Sequence, residues 1–220
     1  FILPNILEDC LPRPLTKLFA LIGGYWLIFF YYSFLLMLLD FLVSAGSMIF
    51  QIPSFGEWFT ENGIPAGFFL ILLLIVLGSW NAFHIITREV RITTDKPLPR
   101  DITIAFVSDI HLGTLLGKRF SRRLTKKILA LQPDLILLGG DIIDGNLEFV
   151  IQDESYKNLL DLTAPLGVFA VYGNHDYFGM DIRKEQDLFA PAGIRFLKNR
   201  SVTLADGIRL TGMDDYRNDP

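Results

Sequence analysis

Three short polar clusters between residues 108 and 176 carry side chains that can bind metal ions. They are residues 108–111 (SDIH), 140–144 (GDIID) and 173–176 (GNHD). Carboxylates, imidazoles and an amide oxygen form a mixed ligand set that suits Mn, Fe or Zn and is too rich in nitrogen for a calcium site. A carboxylate can bridge two ions about 3.5–4 Å apart, and such a pair can clamp the oxygens of a displacement at phosphorus. The clusters therefore indicate metal-assisted phosphoryl chemistry.

Each cluster directly follows an apolar run that predicts a β-strand, at residues 102–107, 135–138 and 167–172. Ligands of open α/β sheets bind beyond the carboxyl ends of the strands, so we expect the three clusters to converge there. Any one of the motifs is weak evidence, since Asp-x-His occurs by chance and Gly-Asp is commonly only a turn. Their order and their shared position after strands carry the prediction.

The rest of this region predicts alternating helices and strands. Helices are predicted at residues 119–131, 155–162 and 181–189, and further short strands at 194–196, 201–204 and 208–211. Alternation of this kind is typical of a layered α/β domain.

The three motifs resemble those of the calcineurin-like metallophosphoesterase superfamily, whose patterns are D-x-H, G-D-x-x-D and G-N-H-[DE]. The wider strings VSDIHLG and LGGDIIDG look like a bacterial membrane-linked branch, which includes enzymes similar to UDP-2,3-diacylglucosamine pyrophosphatase. The resemblance implies a metallophosphoesterase β-sandwich flanked by helices, of which residues 101–220 would form the N-terminal part.

The same resemblance implies a centre of two divalent ions, Mn, Fe or Zn. Asp109 and His111 would bind the first ion, Asp141 would bridge both, and Asn174 would bind the second. The nucleophile would be a metal-bridging hydroxide, because a bound metal lowers the pKa of water to about 7.

Two further residues receive catalytic roles from the resemblance. His175 would lie over the metals, steady the phosphate and protonate the leaving group. Asp144 would hold the His175 ring in orientation, as carboxylates commonly do for imidazoles.

The family pattern also needs a histidine and a G-H-x-H motif further along the chain. This sequence has three histidines, His84, His111 and His175, and none follows His175. The chain is therefore either cut or a degenerate relative, and its end directly after a predicted strand, at residues 212–220, favours a fragment of a longer protein, as does its start at Phe1. We expect the 220 residues alone neither to hold two metals tightly nor to turn over substrate, and a stoichiometry near two metals per chain would contradict this.

Residues 1–86 have the composition of a membrane region with about two transmembrane helices, at 18–39 and 64–86. A buried core helix or a signal peptide fits two long apolar segments less well. Basic residues flank the pair on both outer sides, and the loop between contains none, so the positive-inside rule places both ends in the cytoplasm. Residues 87–100 are predicted to be a linker that runs into a first strand or hairpin.

Residues 87–220 contain 18 basic and 19 acidic side chains, so no nucleic-acid partner is expected. The helix after the first motif has a cluster of basic residues: Lys118, Arg119, Arg122, Arg123, Lys126 and Lys127. They form either a solvated face or a contact with anionic lipid headgroups.

Three functions are compatible with the sequence. The favoured one is a multi-pass membrane enzyme of the cell membrane that hydrolyses a phosphate ester or pyrophosphate, with a lipid or lipid-linked substrate suggested by the anchor. The second is an anchored phosphatase or phosphodiesterase of soluble phosphorylated molecules. The third is a membrane sensor or scaffold with a decayed site, against which the intact motif residues argue.

Overall fold

The computed structural model describes residues 12–96, 98, 100–145, 147–177 and 182–214. The chain divides into two compact units, Phe1–Glu89 and Val90–Pro220.

The first unit is a helical hairpin. Its elements are helix α1 (Arg13–Ile49), helix α2 (Pro53–Trp58), a π-helical turn (Phe59–Gly63) and helix α3 (Ile64–Ala82). The long helices run antiparallel. Tyr25 in the first part of α1 donates a hydrogen bond to Ser79 near the end of α3, at 2.9 Å. Further along the pair, the rings of Phe29 and Phe68 stack with centroids 6.0 Å apart.

Two helical segments, Pro14–Ile49 and Pro53–Ala82, are long and apolar enough to cross a membrane by length and composition. Both exceed the predicted segments. The first continues through residues 40–49, and the second begins at Pro53, because residues 53–63 of the predicted loop are helical. Only a short turn separates α1 from α2, and Gln51 adopts a left-handed φ of 57° in it. The second segment ends at Ala82, before the predicted boundary at Ile86.

The second unit contains a parallel sheet. Its strands are β1 (Ile104–Val107), β2 (Leu135–Leu138), β3 (Val168–Ala170) and β4 (Arg195–Phe196), hydrogen-bonded in that order. The helices of this unit are α4 (Lys118–Ala130), α5 (Leu147–Asp153) and α6 (Ile182–Phe189), with a 3-10 helix at Ser155–Asp161. All three loops that follow β1, β2 and β3 therefore leave the same edge of the sheet.

A hairpin of β5 (Arg200–Thr203) and β6 (Arg209–Gly212) forms a separate antiparallel sheet. It packs on one face of the parallel sheet through a hydrophobic cluster that contains Leu135, Phe169, Leu197 and Leu204. The central strand β2 is almost fully buried, as expected for a parallel strand covered on both sides.

The α/β alternation predicted from the sequence is confirmed, with differences in detail. The helix predicted at residues 155–162 is a 3-10 helix, and α5 was not predicted, because its seven residues are too few for a clear period. The described residues of the linker 87–100 contain no strand, and β1 begins at Ile104. The predicted start of the third helix, Asp181, lies outside the described residues.

Candidate metal centre

Backbone hydrogen bonds hold the loops after β1 and β2 side by side. The amide of Asp109 donates to Gly140 O (3.1 Å), and the amide of His111 donates to Asp141 O (2.9 Å). The amide of Asp144 donates in return to Leu112 O (2.9 Å). The parallel pairing thus continues beyond the strands and brings the first two polar clusters together.

Three of the polar side chains sit on left-handed backbone. Asp109, His111 and Asp141 have φ values of 55°, 48° and 52°. Non-glycine residues rarely adopt this region, and such residues concentrate at functional sites, where the surrounding structure holds them.

The loops after β2 and β3 touch through glycine. Gly140 has a φ of 91°, and a Cβ atom there would lie 2.5 Å from the backbone nitrogen of Gly173. No side chain fits between them, so glycine at position 140 allows the second and third clusters to meet.

Donor atoms from the first two clusters converge around the His111 ring. His111 Nε2 lies 3.9 Å from an oxygen of Asp109 and 3.9 Å from an oxygen of Asp141. These separations are too long for hydrogen bonds. Two ligands that each lie about 2.1 Å from one ion are at most about 4.2 Å apart, so each of the two His111 separations is short enough for a pair of ligands on one transition-metal ion.

His175 lies beside this group. Its Nδ1 is 2.9 Å from Asp144 Oδ1, and this hydrogen bond is the main cause that raises the pKa of His175. Its ring meets the His111 ring edge to face, with centroids 4.8 Å apart. The backbone amide of His175 donates to Asp141 Oδ1 at 2.8 Å, so the third cluster is joined to the second.

Within the described ranges, two groups of side chains offer metal-ligand atoms within 4.8 Å of one another: Asp109, His111 and Asp141, and separately His111, Asp144 and His175. Asn174 lies half-buried immediately before the 3-10 turn His175–Tyr177. His111 Nδ1 is buried and has no hydrogen-bond partner among the described residues, and it lies 3.8 Å from Asp144. An imidazole surrounded by carboxylates is a suitable setting for a cation.

Asp176 holds the backbone of two of the three loops through buried hydrogen bonds, a role that the sequence motif did not reveal. Its side chain is fully buried and accepts hydrogen bonds from the amides of Asp141 and Gly173, each at 2.8 Å. Two longer bonds come from the amides of Ile142 and Ile143. Burial raises the pKa of Asp176, against these hydrogen bonds. One carboxylate therefore ties the loops after β2 and β3 to each other.

Replacing Asp176 by asparagine is expected to lower the free energy of unfolding by about 3 kcal/mol, because an NH₂ group then faces buried N–H donors, each costing about 1–3 kcal/mol when unsatisfied. Hydrogen exchange of the β2 amides in the full-length protein measures the change. The exposed Asp187→Asn on α6 is the matched control and should leave exchange unchanged. Equal protection in both variants would show that Asp176 does not hold the loops.

The turn that carries His175 is also held on its other side. The Tyr177 hydroxyl donates to Asp214 Oδ1 at 2.6 Å, and Lys198 Nζ lies 3.0 Å from Asp214 Oδ2. Burial is the first cause that raises the pKa of Tyr177, followed by the hydrogen bond to Asp214. The hydrogen bonds of Asp176 and Tyr177 thus hold the chain in place directly after His175.

Glu185 of α6 is a fully buried acid whose carboxyl oxygens have no hydrogen-bond partner among the described residues. Burial raises its pKa to about 9, and the charges of Asp176 and Asp141 raise it further in the same direction. The pKa of the Tyr172 hydroxyl is also raised, mainly by burial and next by the charge of Glu185. Glu185 is therefore protonated in the folded protein at neutral pH.

This burial makes stability depend on pH. The folded pKa of Glu185 lies above the unfolded value of 4.5, so its contribution is complete below pH 4.5 and is lost as pH rises towards 9. Relative to Glu185→Gln, the wild-type protein is expected to lose up to about 1.4 kcal/mol of unfolding free energy per pH unit between pH 5 and 8. Urea unfolding followed by pulse proteolysis measures both proteins. Parallel pH profiles would show that Glu185 is not buried as an acid.

The chain matches the family model described as calcineurin-like phosphoesterase over residues 102–217, just over half of its length. An uncharacterized metallophosphoesterase of Helicobacter pylori (strain J99) is 31% identical over 161 residues, which is 71% of this chain and 41% of the relative. A second uncharacterized metallophosphoesterase, of Aquifex aeolicus, is 29% identical over 67% of this chain and 56% of the relative.

A bovine relative named transmembrane protein with metallophosphoesterase domain is 28% identical over 155 residues, which is 65% of this chain and 34% of the relative. The chain thus spans roughly a third to a little over half of these relatives' lengths. No solved structure gives a significant match.

Proposed function

Because the chain belongs to the calcineurin-like phosphoesterase family, we propose that the full-length protein is a metal-dependent hydrolase of phosphate esters or pyrophosphates, anchored in a membrane. One observation carries the proposal. Asp109, His111 and Asp141 offer ligand atoms within 4.8 Å of one another, and the hydrogen-bonded pair of His175 and Asp144 lies beside them.

The proposed centre holds two divalent ions, Mn, Fe or Zn. Asp109 and His111 would be ligands of one ion, Asn174 would be a ligand of the other, and Asp141 would serve both. Asp141 suits this position because it lies between the loops, with its Oδ2 towards His111 and its Oδ1 accepting the amide of His175. When bound, such ions lower the pKa of water and neutralise charge at phosphorus.

His175 is the proposed general acid. Its Nδ1 is engaged by Asp144, so Nε2 is the nitrogen that would pass a proton to the leaving-group oxygen. The Asp144 carboxylate stabilises the protonated ring, as the raised pKa of His175 reflects. Asp144 is thus a positioning residue that favours the protonated form of His175 and orients its ring.

The β5–β6 hairpin is proposed to begin the second layer of a β-sandwich. It already covers the Leu135 and Phe169 part of the sheet. Ile104 and Phe106 of β1 share a face with Leu135 and Leu137, and they are 51% and 67% exposed. A second layer that extends over β1 would bury these two side chains.

Membrane anchoring by α1 and the α2–α3 segment is proposed from their length, their apolar composition and the name of the bovine relative. The basic residues that flank the pair favour a multi-pass arrangement with the catalytic unit in the cytoplasm. Anchoring at a membrane favours a lipid or lipid-linked substrate, such as a pyrophosphate of the UDP-diacylglucosamine type, over a soluble phosphoester.

A substrate comparison tests this preference. The full-length protein with Mn²⁺ is assayed on a soluble phosphodiester and on a lipid pyrophosphate presented in mixed micelles, at equal bulk concentrations. A higher kcat/KM for the lipid supports the proposed substrate class. A higher kcat/KM for the soluble ester would indicate that the anchor only places the enzyme at the membrane and does not select a lipid substrate.

A further inference from the structure

Four basic side chains form an exposed strip along α4, and we propose that this basic strip docks on an anionic lipid surface. The basic strip consists of Arg119, Arg122, Arg123 and Lys126. Spacings of three and four residues place all four on one side of the helix. The other side packs inward through Leu124 and Ile128, which are buried.

No ion pair or hydrogen bond joins the side chains of the basic strip to another residue in the described part of the chain, and α4 contains no Asp or Glu. The neighbouring Lys118 behaves differently, because its Nζ lies 2.7 Å from Glu154, which also pairs with Lys157. The residues that the structure describes thus supply an acidic partner at the start of α4 and none for the basic strip.

The basic strip does not help the helix to form. Like charges three and four residues apart destabilise a helix, and cations near its first turn oppose the helix dipole. The buried residues on the opposite side already fix α4 to the unit. An anionic partner outside the chain would offset these repulsions, because it would attract all four basic side chains.

Anionic lipid headgroups are the partner best supported by the rest of the sequence. Anionic leaflets attract clusters of Lys and Arg within a Debye length of the surface. The same polypeptide carries the two apolar helical segments, and the 22 residue steps from Ala82 to Ile104 can extend to about 75 Å at most. The inference rests on the proposed anchoring and not on phosphoesterase activity.

Fluorescence quenching in nanodiscs tests the inference on the full-length protein. Cys10, the single cysteine of these 220 residues, is replaced by serine, any cysteine elsewhere in the full-length protein is also removed, and a fluorophore is attached to Ala130→Cys. Ala130 is exposed and lies four residues after Lys126, on the side of the strip. The nanodiscs contain phosphatidylcholine with or without phosphatidylglycerol, together with a lipid that carries a quencher on its headgroup.

Quenching is expected to be stronger with phosphatidylglycerol and to weaken as salt is added. Each basic residue near an anionic surface contributes about fivefold to the docked population, so Arg122→Glu with Arg123→Glu should lower the docked-to-undocked ratio at least about 30-fold. Lys184→Glu with Arg200→Glu is the matched control. It makes the same change in net charge at two exposed positions outside α4 and should leave quenching unchanged.

Equal quenching in neutral and anionic nanodiscs, or equal quenching in the strip and control variants, would overturn the inference. If the protein does not remain with the nanodiscs, the anchoring proposal is wrong whatever the basic strip does. Binding of the protein to preformed vesicles of the same two lipid compositions then tests the basic strip. Salt-sensitive binding of an RNA oligonucleotide, lost in the strip variant and without lipid quenching, would also overturn it and assign the strip to nucleic acid.

Discussion

Replacing Asp141 by asparagine in the full-length protein is expected to lower kcat/KM for phosphodiester hydrolysis by about 1,000-fold, since metal ions supply several kcal/mol of charge stabilisation in the transition state. Asparagine keeps an oxygen that can accept the amide hydrogen of His175, so the loop contact is retained while the negative charge is lost. Bound metal per chain, measured by elemental analysis after gel filtration, is expected to fall with the activity.

Asp161→Asn is the matched control for Asp141, because it makes the same chemical change on an exposed side chain outside the three clusters. It should keep both metal content and turnover. Retention of metal and activity in Asp141→Asn would show that this carboxylate is not shared between ions and that the reaction occurs elsewhere.

His175→Gln is expected to lower kcat by about 100- to 10,000-fold on an ester with an alkyl leaving group, because general acid catalysis contributes that much. The loss should be far smaller on a nitrophenyl ester, whose leaving group departs without a proton. Metal content should remain at the wild-type level, since His175 is proposed as an acid and not as a ligand.

His84→Gln is the matched control for His175, as His84 belongs to the first unit and its ring lies against Trp80. It should leave kcat unchanged with both leaving groups. A fall in bound metal on His175→Gln would contradict the proposed role and favour the second group of donors, His111, Asp144 and His175, as a metal site.

The sequence predicted the position of the site because the chemistry is tied to the strand ends. Parallel strands point their carboxyl ends to one edge, so the order of motifs after β1, β2 and β3 was enough to predict that Asp109, His111 and Asp141 would meet. Their convergence in the structure depends on pairing between loops, such as His111 N to Asp141 O, which no periodic pattern encodes.

The contributions of Asp176 and Glu185 were not evident from the sequence. Asp176 is one residue of a motif, and only its burial against the amides of Asp141 and Gly173 reveals what it holds. Glu185 lies in a short amphipathic helix among exposed charges, and its burial depends on how α6 packs. The helical residues 53–63 were also missed, because a helix formed where polar residues and glycine indicated a loop.

The most direct test of metal-dependent hydrolysis is the turnover of a phosphodiester by the full-length protein after chelation, with and without added Mn²⁺. We expect no turnover in the stripped protein, turnover on addition of Mn²⁺, and renewed loss on chelation, because the clusters after β1, β2 and β3 are proposed to act only through bound metal. A folded protein that remains inactive with Mn²⁺, Fe²⁺ and Zn²⁺ on both soluble and lipid substrates would rule out a metal-dependent phosphoesterase and support a membrane sensor or scaffold.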